Sequence, residues 1–217
     1  MARDFALRTI EKWKVQDSSD LYGVDHWGKG YFSISKKGTL RVHPEKKRGE
    51  SLDLKALVDQ LQLSGISTPV LLRFSGVLKQ RLREIHGAFT KAIDDSEYEG
   101  SYASIYPIKV NQQSHVVEEY LEYGRQYGFG IEAGSKPELL AVIAMVNDNE
   151  TPIVCNGFKD DEFIETVVLA TKMGKKIIPI VEKFTELQML VRYAAKHNVR
   201  PRIGLRAKLA SRGVGRW

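Results

Sequence analysis

Residues 153–181 read IVCNGFKDDEFIETVVLATKMGKKIIPIV, and this stretch decides the fold. It begins with an apolar run at 153–156 and ends with another at 177–181, and the segment between them has the length of a helix. Short apolar runs that alternate with helix-length segments predict parallel strands joined by helices. The same alternation continues on both sides of this stretch. The chain is therefore predicted to be an α/β protein.

Outward from this unit, the sequence predicts strands at residues 70–74, 104–110, 129–132, 153–156, 177–181 and 202–206. Residues 114–127 and 185–197 have apolar side chains at helical spacing and are predicted helices. About six β-α units fit either an open doubly wound sheet or part of a (β/α)8 TIM-type barrel. The first run is not followed by the glycine pattern of a dinucleotide site, and residues 70–217 are fewer than the roughly 250 of a complete barrel. We therefore expect an incomplete barrel and a chain that is a fragment.

The first part of the chain has a different pattern, and we divide the sequence into an N-terminal segment, 1–69, and an incomplete barrel, 70–217. Two alternating runs at 30–35 and 39–43 flank a turn that contains glycine, which predicts a β-hairpin. A short helix is predicted to follow, with Ser51 as its N-cap.

Composition and charge exclude several classes of protein. The 217 residues include 33 Lys and Arg against 27 Asp and Glu, a net charge of +6, and the excess cations lie within 200–217. No aromatic-rich RNA-binding signature or zinc-finger spacing occurs, so we do not expect a nucleic-acid partner. The single cysteine, Cys155, fits a reducing compartment. No signal peptide or membrane span is recognised, and we expect a cytoplasmic protein with no membrane partner.

Lys109 is the strongest candidate for a catalytic residue. It lies in a run, Ile105–Val110, that is apolar on both faces, as in a strand covered on both sides. Burial there is expected to lower the pKa of the amine and make it nucleophilic toward an aldehyde. Strand alternation would direct Lys109 into the barrel near the carboxyl end of its strand, where barrel active sites lie. The alternative is that Lys109 has no catalytic role and is a lysine at a strand end whose amine reaches water.

Several strings resemble, in the same order along nearly the whole chain, those of biosynthetic arginine decarboxylases. They are WGKGYF at 27–32, PVLLRFS at 69–75, YPIKVNQ at 106–112, GIEAGSKPELL at 130–140, IVCNGFKD at 153–160 and IGLR at 203–206. Each string is weak by itself, but the ordered set is specific.

The resemblance implies an alanine-racemase-like barrel that binds pyridoxal 5'-phosphate and converts L-arginine to agmatine and carbon dioxide, in polyamine biosynthesis. Lys109 matches the lysine that binds the cofactor, and Glu132 and Arg206 match positions near it. Ion pairing alone would also explain Glu132 and Arg206. The family is associated with Mg²⁺, for which no site is located here, and we expect a homo-oligomer at full length. This chain by itself is expected to be inactive.

Two alternatives share the cofactor. The chain could belong to another amino-acid decarboxylase or racemase of this barrel type, or to a non-catalytic protein that binds pyridoxal phosphate.

Overall fold

The structure is a computed structural model that describes residues 12–47 and 49–207. Its contacts divide the chain into two compact units, Met1–Arg81 and Leu82–Trp217. The cationic segment 200–217 continues past the described residues. Within the described ranges, no helix is both long enough and apolar enough to cross a membrane.

The first unit contains a small antiparallel sheet and short helices. The elements are α1 (Val15–Tyr22), α2 (Val24–Gly28), β1 (Phe32–Ile34), β2 (Leu40–Val42), β3 (Leu52–Asp53) and α3 (Leu54–Leu63). Strands β1 and β2 pair antiparallel, with Phe32 opposite Val42, and this confirms the predicted hairpin. Helix α4 (Ser75–Asp95) begins in this unit and continues into the second.

The predicted N-cap of α3 is wrong by two residues. Asp53, not Ser51, precedes the helix, and its carboxylate accepts hydrogen bonds from the backbone N–H groups of Lys55 and Ala56. Ser51 instead accepts a hydrogen bond from Arg41 at 2.9 Å. The short strand β3 lies between Ser51 and the helix, so the first helical turn is within reach of Asp53.

The second unit is built of parallel strands and helices in alternation. Its further elements are β4 (Ile105–Pro107), α5 (Ser114–Gly124), β5 (Gly130–Ala133), α6 (Lys136–Met145), β6 (Ile153–Cys155), α7 (Asp161–Lys172), β7 (Ile177–Val181), α8 (Phe184–His197) and β8 (Gly204–Leu205). A short 3-10 turn follows β4, and another follows α5. The helices predicted over 114–127 and 185–197 are confirmed.

The order of the strands and the position of the core decide between the two predicted architectures, an open doubly wound sheet and part of a barrel, in favour of the barrel. The five strands are ordered β4-β5-β6-β7-β8, each parallel to its neighbour in sequence. Side chains of α5, α6 and α7 pack against the buried sheet residues Ile131, Ala133, Ile153, Cys155 and Ile177. In a doubly wound sheet the order reverses and helices cover both faces. Consecutive order with helices on one face is the arrangement of part of a β/α barrel.

The number of barrel strands differs from the prediction. Residues 70–74 form no strand, so residues 12–47 and 49–207 contain five parallel strands in place of about six units. An apolar run becomes a strand only when its backbone finds a ladder partner, and residues 70–74 form no ladder. The run at 104–110 also gives a shorter strand than predicted, because β4 ends at Pro107.

Cys155 is completely buried in β6, and burial raises the pKa of its thiol to about 12 from the ordinary 9.0. Between these two values the unfolded chain loses the thiol proton while the folded chain keeps it. The contribution of Cys155 to stability is therefore complete below pH 9 and declines as the pH rises toward 12.

We predict that iodoacetamide at pH 8 leaves Cys155 unmodified in the native protein and alkylates it rapidly in urea, because the reactive thiolate is neither accessible nor formed in the fold. Mass spectrometry of the peptide that contains Cys155 measures this. Equal rates in the two conditions would show that the strand end is open to solvent.

Candidate functional site

The lysine singled out from the sequence lies just after a barrel strand. Pro107 ends β4, and residues Ile108–Val110 form a single 3-10 turn. The hydroxyl of Tyr106 donates a hydrogen bond to the carbonyl oxygen of Asn111 at 3.1 Å, which ties the turn back to the strand. Ile108 packs into the core. The turn thereby places Lys109 at the carboxyl end of the sheet.

The burial expected of Lys109 is wrong. Its side chain is 63% exposed. The prediction assumed that the strand continues through residue 110 with apolar side chains on both faces. The chain leaves the sheet after Pro107, and Val110 is likewise exposed. The amine is therefore solvated and is not covered by two apolar layers.

Glu132 lies opposite Lys109. The residue is in β5, in register with Pro107 of β4 and Val154 of β6, and its side chain is only 6% exposed. Its Oε1 atom is 3.8 Å from the Nζ atom of Lys109. Within the described part of the chain, this buried oxygen accepts no hydrogen bond. A buried carboxylate oxygen in this state favours a nearby cation or a donor supplied by a ligand.

Lys109 and Glu132 open onto a cavity of about 600 Å³ at the carboxyl ends of the strands. The third predicted site residue, Arg206, follows β8 and lines the same cavity. The remaining lining residues are Gly134, Glu138, Asn156, Gly157, Ile180 and Leu205. All three sequence-predicted residues are thus brought together, with two cations and two carboxylates on the cavity wall.

Arg206 is held by one acidic partner. Its Nη1 atom donates a hydrogen bond to Oε2 of Glu182 at 3.0 Å. Glu182 directly follows β7, and its Oε1 atom accepts a hydrogen bond from the backbone N–H of Gly157 at 2.8 Å. The ion pair that sequence reasoning considered as the alternative for Arg206 is present. It coexists with a position on the cavity wall.

A buried charge pair behind the wall was missed by sequence reasoning. The side chains of Lys159 and Glu186 are 0% and 1% exposed, and their Nζ and Oε2 atoms are 3.8 Å apart. The Nζ atom of Lys159 also donates to the carbonyl oxygens of Gly157 and Ile180, each at 2.6 Å. Burial lowers the pKa of Lys159, and the charge of Glu186 opposes that shift. The pair joins the loop after β6 to the first turn of α8, and the bond from Lys159 to Ile180 joins the same loop to β7.

Gly134 and Gly157, which both line the cavity, lie close to each other. Gly157 has a φ of +77°, and a Cβ atom there would lie 2.7 Å from the carbonyl oxygen of Gly134. The N–H of Gly134 donates to Oε2 of Glu138 at 2.7 Å. Ser135 caps α6, and the spacing of Ser135 and Glu138 is that of a capping box. The sequence therefore signalled a helix start here, but not that Glu138 would line a cavity.

Comparison with known proteins identifies the family. The sequence profile described as "Pyridoxal-dependent decarboxylase, pyridoxal binding domain" matches residues 79–216. This chain therefore belongs to the family of pyridoxal-dependent decarboxylases.

Similar proteins include the biosynthetic arginine decarboxylases of Rhodopirellula baltica, 51% identical over 95% of this chain and 31% of that protein, and of Gloeobacter violaceus, 44% identical over 96% and 32%. The crystal structure of the biosynthetic arginine decarboxylase from Campylobacter jejuni matches with a TM-score of 0.76 and 35% identity, covering 85% of this chain and 30% of that one. The chain spans about a third of the length of the curated relatives that it matches.

Metal ligands are not grouped in the described ranges. Across residues 12–47 and 49–207, no group of three or more His, Cys, Asp or Glu side chains is arranged to hold a metal ion. The Mg²⁺ implied by the resemblance therefore has no candidate position among them.

We predict that Lys159→Met destabilises the fold by about 3 to 5 kcal/mol, because it leaves Glu186 buried without its cation. The midpoint of urea unfolding measures the loss. Lys196→Met is the matched control: Lys196 pairs with Glu165 at 2.7 Å through an exposed ammonium, and its replacement should change the midpoint little. Equal midpoints for the two variants would contradict the burial of the Lys159–Glu186 pair.

Proposed function

We propose that this chain is the cofactor-binding part of a biosynthetic arginine decarboxylase, which converts L-arginine to agmatine and carbon dioxide for polyamine biosynthesis. The proposal rests on one observation. Lys109 lies in a pyridoxal-dependent decarboxylase domain and opens onto a cavity, beside the buried carboxylate of Glu132. The names of the similar proteins favour arginine over other amino acids as the substrate.

The residues around the cavity fit pyridoxal 5'-phosphate. Lys109 presents an exposed amine that can bind an aldehyde carbon. The oxygen of Glu132 without a hydrogen bond is available to a donor on the ligand. Arg206 adds a guanidinium, which suits phosphate or carboxylate oxygens. The cofactor, when bound, supplies an electron sink for the carbanion left by the departing carbon dioxide.

Residues of this chain hold the cofactor, carry a proton and attract the substrate. Lys109 holds the cofactor at the carboxyl end of the barrel, and its amine is a group that can also carry a proton near the reacting carbon. The carboxylate of Glu132, 3.8 Å from that amine, attracts its protonated form and keeps it directed into the cavity. The carboxylates of Glu132 and Glu138 give the cavity a negative component that suits a cationic substrate.

The proposal extends to the complete protein. We place the enzyme in the cytoplasm as a homo-oligomer, with magnesium associated as the resemblance implies and with no nucleic-acid or membrane partner. The single buried cysteine of this chain fits a reducing compartment. Residues 1–217, which span a third of the relatives, are proposed to have no activity by themselves.

Lys109→Ala in the complete protein tests the assignment. We predict loss of the absorbance of lysine-bound pyridoxal phosphate and loss of agmatine formation, because no amine then remains at the cofactor position. Lys183→Ala is the matched control. Lys183 lies over the ring of Phe158, 3.7 Å from its centre, and does not line the cavity, so its replacement should preserve both signals. Normal absorbance and turnover in Lys109→Ala would refute the assignment.

A further inference from the structure

Glu182 does not line the cavity, but it accepts hydrogen bonds from two residues that do. Its side chain is 8% exposed, and it occupies the position directly after β7. One carboxylate oxygen accepts from the N–H of Gly157 at 2.8 Å, and the other accepts from Arg206 at 3.0 Å. Both donors belong to cavity-lining residues. The conformation of Glu182 therefore determines the position of two parts of the wall.

Glu182 is itself fixed from behind. Its backbone N–H donates to Oε2 of Glu186 at 2.8 Å, and the other oxygen of Glu186 accepts from the backbone N–H of Lys159 at 3.0 Å. Lys159 offsets the charge of Glu186 and bonds to the carbonyl oxygen of Ile180 in β7. This chain of contacts links the carboxyl ends of β6, β7 and β8. Glu182 is therefore hydrogen-bonded from behind at a position next to the cavity.

Arg206 has unused hydrogen-bonding capacity. Its side chain is 58% exposed, and within residues 12–47 and 49–207 its guanidinium donates to Glu182 alone. A guanidinium carries five N–H donors and stays charged at all ordinary pH values. One bond to Glu182 therefore fixes the direction of the group and leaves several donors for anionic oxygens in the cavity. A side chain held in this way loses less rotamer freedom when a ligand binds.

We propose that Glu182 is a positioning residue that holds Arg206 ready for an anionic group of the bound ligand. This inference rests on the proposed function, which supplies two sources of such oxygens: the phosphate of the cofactor and the carboxylate of the amino-acid substrate. Lys159 and Glu186 support Glu182 from behind, and Lys159 also donates a hydrogen bond to the carbonyl oxygen of Gly157.

The test compares Glu182→Gln with the unaltered complete protein. Glutamine keeps the shape and the acceptor for the N–H of Gly157 but removes the charge that holds Arg206. We expect the variant to unfold at the same temperature and to weaken ligand binding about ten-fold, as expected for loss of a charged hydrogen bond. The Kd of the apoenzyme for pyridoxal phosphate rises if Arg206 serves the phosphate. The KM for arginine rises instead if Arg206 serves the substrate carboxylate.

Glu165→Gln is the matched control, because Glu165, like Glu182, accepts a hydrogen bond from a basic side chain, here from both Lys196 and His197, and does not line the cavity. It should leave Kd and KM unchanged. A second measurement adds Glu182→Gln to Arg206→Ala. If Glu182 acts through Arg206, the double variant matches Arg206→Ala alone. This comparison separates positioning from a general loss of structure.

Unchanged Kd and KM in Glu182→Gln, or additive losses in the double variant, would overturn the inference while leaving the proposed function intact. Failure of the unaltered complete protein to bind pyridoxal phosphate at Lys109 would overturn both.

Discussion

Burying a carboxylate costs free energy unless a cation or a hydrogen-bond donor lies beside it. At the cavity, the attraction of Lys109 offsets this cost for the buried carboxylate of Glu132. Glu132 is held in its strand, in register with Pro107 and Val154, and its side chain lines the cavity. The side chain of Lys109 is mostly exposed, and its Nζ atom lies 3.8 Å from Glu132. The buried partner therefore directs the exposed one, and an amine is kept at the cavity without being buried.

The barrel supplies the geometry for this attraction. Parallel strands in consecutive order bring their carboxyl ends to one edge. Lys109 and Arg206 follow their strands and Glu132 lies near the end of β5, so the three residues surround a single cavity although they are far apart in the sequence. Basic and acidic side chains alternate around the cavity, and further charge pairs lie behind its wall. Arg206 pairs with Glu182, and Lys159 pairs with Glu186 one layer deeper. Each of these cations thus has an acidic neighbour, and the cavity combines donors for anionic oxygens with carboxylates that can attract a positive charge.

Much of this arrangement could be predicted from the sequence, because local patterns report local structure. Apolar periodicity predicted helices α5 and α8, and the alternating runs predicted the hairpin. Features that depend on residues far away in the sequence were predicted wrongly or were not predicted. The apolar run at 70–74 forms no ladder, and the run through Lys109 leaves the sheet at Pro107. Lys159 directly precedes Asp160, the residue that caps α7. Its burial depends on Glu186, 27 residues away.

The central claim is that Lys109 is the residue that binds the cofactor covalently, and its exposure makes the claim open to a chemical test. Borohydride treatment of the complete protein, loaded with pyridoxal phosphate, makes the carbon–nitrogen bond to the cofactor's lysine permanent, and peptide mapping then locates the label. We expect one labelled peptide, with the pyridoxyl group on Lys109. Label on Lys159 or on any other lysine, or no label at all, would contradict it.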